Sequence, residues 1–183
     1  LDYPTMRNFM SHFAELNSLD LEDVDKNPFN QMCAPVNQSV PENGLLDGDF
    51  QLDKLRDEDL DFVNSNWKYN EGDDSAGRIK LWMDHLPTSC IRRRSDGVCV
   101  GCCLCTDWGT VGLLFIDPQY RRRGFGKILM NDCKRKIEAL KLGCPVYAQV
   151  VIFNTSSANL MRSVGWEDSG CDITFTKCCP KET

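Results

Sequence analysis

The segment that most constrains this chain is Ile116-Asp-Pro-Gln-Tyr-Arg121-Arg122-Arg123-Gly124-Phe125-Gly126-Lys127. An alternating apolar run, Thr110–Ile116, precedes it. An amphipathic run from about Phe125 to Leu142 follows, with Leu129, Cys133, Ile137 and Leu140 on one face. A strand therefore enters the turn and a helix leaves it. Gly124 and Gly126 let the turn present successive backbone N–H groups into one concavity, to which the helix adds its first-turn donors and positive dipole end. Ringed by three arginines and Lys127, such a concavity suits a pyrophosphate. The Lys-Ser/Thr ending of a P-loop and the three-glycine spacing of a dinucleotide site are both missing. A plain solvated turn is the competing reading of these arginines.

The flanking elements limit the architecture. Phe50-Gln-Leu-Asp-Lys-Leu55 alternates as a strand, and Asp57 is placed to cap a helix carrying Leu60, Val63 and Trp67. Ile79, Trp82, Met83 and Leu86 mark a second helix that Pro87 stops. Strands at Ser89–Arg92, Val98–Thr106 and Thr110–Ile116, separated by Ser95-Asp96-Gly97 and Asp107-Trp108-Gly109, make an antiparallel meander. The long helix, which Gly143 is placed to end, is followed by a strand over Val146–Phe153, a helix over Ser156–Val164 and a strand over Asp172–Cys178. This order implies an α/β fold, an α+β mixed sheet flanked by helices. Residues 1–49 offer a short helix around Met6–Leu16. From Asp20 to Gly48 runs an acidic, Pro/Asn-rich stretch without periodicity, expected to be an extension or linker ahead of a domain over 50–179.

At 42% apolar and 26% charged, the 183 residues have the composition of an ordinary globular domain. Neither an apolar run of the ~20 residues a bilayer crossing needs nor a leader-like start is visible, so no membrane partner is expected. The start at Leu1 instead of Met points to a processed or partial chain. A net charge of −6 argues against a nucleic-acid partner, yet residues 1–75 hold 17 acids against 5 bases and the remainder 10 against 16. The basic part implies a small anionic partner.

Of the 11 cysteines, Cys99-x-x-Cys102 lacks a second half-site and Cys178-Cys179 lacks the spacing. His12 and His85 lie far from any Cys pair, so no metal ligands are assigned. Cys102, Cys103 and Cys105 fall on both faces of a strand, as buried thiols do in a reducing intracellular compartment, cytoplasmic or mitochondrial. Metal or disulfide chemistry is the alternative.

Ile116-x-Pro118-x-x-Arg121-x-x-Gly124-x-Gly126 resembles the acyl-CoA pyrophosphate loop of the GNAT superfamily of acyl-CoA-dependent N-acyltransferases. A second signature stands in register: Asn154, Ser157 and Gly165-Trp166, where the superfamily usually has Asn, Ala, and Gly followed by an aromatic. The resemblance implies a central, mostly antiparallel sheet splayed between its fourth and fifth strands. The pantetheine arm of a cosubstrate, acetyl-CoA or another acyl-CoA, would lie in the gap. It further implies that backbone groups of Leu114, Phe115 and Ile116 meet the arm and thioester, bared by a bulge in the fourth strand. Arg121, Arg122, Arg123, Gly124, Phe125, Gly126 and Lys127 would hold the pyrophosphate, with Asn154 and Ser157 along the arm. Val63-Asn-Ser-Asn-Trp67, Leu86-Pro-Thr-Ser-Cys90, Pro118-Gln-Tyr-Arg121 and Leu142-Gly-Cys-Pro-Val-Tyr147 resemble, more narrowly, the C-terminal lobe of glycine N-acyltransferase-like proteins. Those proteins acylate the amine of a small amino acid, and their two-lobed build would make residues 1–49 the remnant of a first lobe.

The resemblance breaks at proton handling. Where that branch has a Glu near the start of the fourth strand this chain has Thr110, and where the superfamily often has an acidic Tyr it has Met161. Water relays, a substitute among Asp107, His85, Ser157 and Tyr147, or loss of activity are the three ways out, and no catalytic residue is assigned. The expectation is an N-acyltransferase acting on a small amine or amino acid. Its alternative is a catalytically inactive acyl-CoA-binding or protein-interaction module of the same fold. Lys134-Arg135-Lys136 reads as a solvated helix face.

Overall fold

Alternation makes the strands and 3.6-residue periodicity the helices, in an order close to the expected one. The computed structural model describes residues 15, 19–23, 29–34, 46–68, 73–141, 144–173 and 176–180. Apart from Glu15, the helix expected around Met6–Leu16 lies outside them, as does Gly143. The elements are β1 (Leu19–Asp23), β2 (Phe29–Cys33), β3 (Phe50–Asp53), a 3-10 turn (Asp57–Asp59), α1 (Leu60–Ser65), α2 (Asp73–His85), β4 (Thr88–Arg93), β5 (Cys99–Cys105) and β6 (Thr110–Ile116). A 3-10 turn (Pro118–Tyr120), α3 (Phe125–Glu138), β7 (Tyr147–Val151), α4 (Thr155–Ser163), β8 (Glu167–Ile173) and β9 (Thr176–Pro180) follow.

A seven-stranded sheet has the order β3-β4-β5-β6-β7-β2-β8, and β1 pairs with β9 in a separate two-stranded sheet. The meander β4-β5-β6 is antiparallel as expected, and β7 runs parallel to β6. Between these two, the fourth and fifth strands along the sheet, only Thr110–Tyr147 and Val111–Ala148 pair. Beyond that point the strands part. Each is held from its other side, β6 by β5 and β7 by β2.

One core fills the α3/α4 face, with Met32, Leu129, Met130, Cys133, Ala148 and Trp166 buried in it. A smaller core lies under α1 and α2, where Val63, Ile79, Trp82, Cys102 and Leu104 meet. Six of the cysteines, Cys90, Cys99, Cys102, Cys103, Cys105 and Cys133, are buried free thiols. No helix among the described residues is long and apolar enough to cross a membrane.

Several expectations need correcting. The stretch expected to be irregular, Asp20–Gly48, supplies β2, in the interior of the sheet between β7 and β8. Its buried residues, Phe29 and Met32, stand three apart because the register against β8 shifts between Asn30 and Met32, so no alternation marks it. The single strand expected at Asp172–Cys178 is two: β8, an edge strand whose residues 167–171 are exposed, and β9. Asp59, not Asp57, steadies the start of α1, its carboxylate accepting the Arg56 N–H at 2.8 Å. The long helix stops at Glu138, where Ala139–Lys141 form a tight turn with Lys141 at φ +53°, and Leu140 is half-exposed. Of Lys134-Arg135-Lys136, expected as a solvated face, only Arg135 is exposed. Lys134 is buried beside Glu138, and Lys136 and Arg135 clamp Asp132, which is itself buried against β4 and accepts a bond from Ser89 Oγ at 2.7 Å. The aliphatic stems of Lys134 and Lys136 lie against the core, while Arg135 reaches buried Asp132 from solvent and Lys134 meets Glu138 at the surface.

Candidate functional site

The site is built where β6 leaves β7. Cys102 pairs with Phe115 and Leu104 with Gly112, so Leu113 and Leu114 together stand opposite Cys103. This is a β-bulge, and within it Leu113 takes a left-handed φ of +50°, uncommon for a residue other than glycine. The Cys102 thiol donates to the Leu113 carbonyl at 3.8 Å and holds the bulge from below. From Gly112 to Ile116 the edge of β6 that would face β7 has no strand against it among the described residues, and Leu113 to Ile116 are half-buried. The bulge expected in the fourth strand is present, but Leu113, which carries it, was not among the expected site residues. A Leu in an apolar strand gives no local sign of a positive φ.

Past Ile116 the chain turns through Pro118–Tyr120, with Asp117 accepting the Gln119 N–H. Arg122 (φ +67°) and Gly124 (φ +80°) then take left-handed conformations that curl the backbone into α3. The first helical bonds run from Lys127 and Ile128 to the Gly124 carbonyl, so the Phe125 and Gly126 amides precede the ladder. Gly126 also lets α3 meet α4 closely, since a Cβ there would lie 2.9 Å from Leu160 Cδ2. Asn154 caps α4 by accepting the Ser157 N–H at 3.1 Å, which sets that helix start beside the same opening.

The four cations of the turn are not equivalent. Arg121 donates from Nε to the Ile116 carbonyl at 3.0 Å and lies over the Phe115 ring. Arg123 lies over Phe50 and Tyr120 and 3.8 Å from Asp47. Arg122 and Lys127 are exposed and, among the described residues, have no side-chain partner.

The expected proton-handling positions give little. Thr110 is buried at the closed end of the splay with its hydroxyl 2.9 Å from that of Thr106, and Met161 is buried in the α3/α4 core. Asp107 accepts from Arg78, His85 is exposed at the end of α2, and the Ser157 amide is used in the cap. Tyr147 stands opposite Thr110, the one candidate brought to the splay base. The neighbouring thiols are poor nucleophiles. Burial pushes Cys102 and Cys103 far up, and Cys105 up to about 11, so none is a thiolate at neutral pH.

Residues 52–166 match the acetyltransferase (GNAT) family. The chain belongs to that family. A human glycine N-acyltransferase-like protein 1B is 26% identical over 119 residues, 65% of this chain and 38% of the human protein. A Drosophila protein superposes with a TM-score of 0.79 at 21% identity over 98% of this chain and 59% of its own length. An aminoglycoside N-acetyltransferase solved in complex with CoA superposes at 0.55 with 20% identity, over 76% of this chain and all but 1% of the other (99% covered). Both superpositions bear on the fold, the GNAT fold. This chain spans less than two thirds of the human and Drosophila proteins.

Proposed function

We propose that this GNAT-family chain moves an acetyl or longer acyl group from CoA to a small amine or amino acid, by direct attack in a ternary complex within a reducing compartment. The parting of β6 from β7 beside the Arg122–Lys127 turn is the observation that carries this reading. The exposed cations Arg122 and Lys127, with the amides of Gly124, Phe125 and Gly126, take the pyrophosphate. Arg121 and Arg123 shape the turn through their ring contacts and join only if drawn from them. The vacant edge of β6 offers the pantetheine amides a strand to pair with, from Leu114 to Ile116, and Asn154 and Ser157 border the arm.

Chemistry then consists mainly of placement, which supplies on the order of 7–11 kcal/mol in favourable cases. The amine nitrogen attacks the thioester carbon, the C–S bond breaks, and the sulfur leaves with the electron pair. The buried, high-pKa cysteines support direct attack over an acyl-cysteine intermediate. With Thr110 tied to Thr106 and Met161 buried, water takes the ammonium proton and returns one to sulfur. Calorimetric titration with acetyl-CoA and CoA tests the first half, and no binding at millimolar ligand would overturn it. The Thr110 and Met161 environments also favour a second reading, a CoA-thioester-binding module without turnover. Thiol release from acetyl-CoA with a panel of amines and amino acids separates the two.

A further inference from the structure

One cation away from the splay is held rigid yet incompletely used. Arg78, in the first half of α2, has its guanidinium carbon 5.1 Å from the Trp82 ring centre and 5.0 Å from that of Trp108. Among the described residues only Nη2 is hydrogen-bonded, donating to Asp107 at 3.0 and 3.4 Å. Among the described residues, Nη1 and Nε of Arg78 donate to nothing. Buried Arg92 is the contrast, with all three nitrogens committed to Asp53, Asp59 and the carbonyls of Gly97 and Lys54. A guanidinium fixed by two indoles and a carboxylate has already lost its rotamer freedom, so its unused edge is a preorganised receptor for an anion. The side chain is 43% exposed, which leaves that edge within reach of solvent.

Position gives the receptor a use. Asp107 and Trp108 lie in the turn that leads into Thr110, whose pairing with Tyr147 closes the splay. An arm entering from the Arg122–Lys127 end runs toward that closed end and cannot continue in the plane of the sheet. Its thioester therefore ends near the Leu113 bulge, and the acceptor comes from the far side. Leu113 and Phe115 pack on the α1/α2 face, the face on which α2 carries Trp82 and Arg78. Thr110 to Leu113 is about 10 Å of strand, about the extended length of three residues of peptide.

We propose that Arg78, stacked between Trp82 and Trp108 and braced by Asp107, anchors a carboxylate of the acyl acceptor, and that the favoured acceptor is an amine of tripeptide length ending in that carboxylate. Arg78 sets specificity and takes no part in the bond changes. The inference rests on the acyltransfer reading above, and two separate titrations keep their failures apart. In the first, CoA is titrated into the chain; no binding overturns the acyltransfer reading itself. In the second, Gly-Gly-Gly and its C-terminal amide are titrated into the chain with and without saturating CoA. The acid is expected to bind about tenfold more tightly than the amide, and more tightly than glycine. Arg78→Ala is expected to erase the acid-over-amide difference, and Arg78→Lys, which loses the planar fork, to keep a fraction of it. Trp108→Leu, a change in an exposed turn, is expected to reduce the difference and serves where Arg78→Ala does not fold. Equal binding of acid and amide by the native chain, or a preference that survives Arg78→Ala, overturns the anchor. Glycine binding as tightly as Gly-Gly-Gly overturns the length.

Discussion

The two halves of the central sheet treat their polar groups in opposite ways. From β3 to β6 the strands pair along most of their length, and the charges buried against them are matched inside the chain. Arg92, 1% exposed, reaches Asp53 at 2.9 Å and Asp59 at 2.7 Å, and Asp132 meets Lys136 at 2.6 Å. From β6 to β7 two residue pairs hold the strands together, and the edge beyond them, with Arg122 and Lys127, is left to other partners. The difference teaches which cations belong to the fold. A guanidinium with every donor used is structural, whereas donors left open on a rigid frame are available to a ligand. The closed half also makes the open half possible, because β6 and β7 give up their mutual ladder only while β5 and β2 hold their outer edges.

The largest expected effect breaks the closed half. Arg92→Ala leaves the buried Asp59 carboxylate without its guanidinium partner, while Asp53 keeps Arg56, and the loss of such a buried pair costs about 3–5 kcal/mol. Urea denaturation measures it, and a cost below about 1 kcal/mol would abolish the distinction drawn above. Asp132→Asn comes next, at about 2 kcal/mol at neutral pH. Burial alone would raise the Asp132 carboxyl, but bonds from Lys136, Ser89 and Arg135 outweigh it and hold the group below the usual carboxylate value. A folded value below the unfolded one means that the stabilisation is complete above about pH 4 and is lost as pH falls through the depressed native value. Melting temperature against pH should therefore decline below about pH 4, less steeply in Asp132→Asn. Some slope should persist, because Asp53 and Asp96 are held down in the same direction.

The contrast between the halves also governs how much was readable beforehand. Strand β6, the turn and α3 were legible because alternation, glycine spacing and periodicity are local and coincide there. The parting of β6 from β7 is a relation between distant strands, and only a family resemblance anticipated it. Strand β2 was missed because a register shift spoils its alternation, and β8 because a polar edge strand has none. The role of Asp132 lay hidden in a helix that otherwise reads as amphipathic, although Arg135 and Lys136 at i+3 and i+4 were a usable hint. The turn itself stands where it was expected, between β6 and α3. The division of its cations depends on rings from β3 and β6 that no local pattern connects to it.

That division yields the next prediction. Arg122→Ala combined with Lys127→Ala should weaken CoA binding about tenfold or more, and the native affinity should fall with added salt, while the melting temperature stays within a degree or two. Arg121→Ala should instead lower stability along with affinity, because its side chain ties the turn to the Ile116 carbonyl and covers Phe115. If Arg121 and Arg122 behave alike in both measurements, the four cations form one undifferentiated patch.

The smallest expected effect lies at the hinge between the halves. Thr110→Val removes a hydroxyl whose partner is Thr106, and leaving that buried hydroxyl alone costs about 1 kcal/mol. A threonine hydroxyl is far too weak a base to take a proton from an ammonium unaided, and this one is turned to a neighbour inside the sheet. Thiol release from acetyl-CoA should therefore proceed at the native rate in Thr110→Val, with pH dependence set by the acceptor amine alone. A fall in kcat of tenfold or more at unchanged CoA affinity would mean that the Thr110–Thr106 pair passes the proton, and that the closed end of the splay is part of the chemistry as well as its frame.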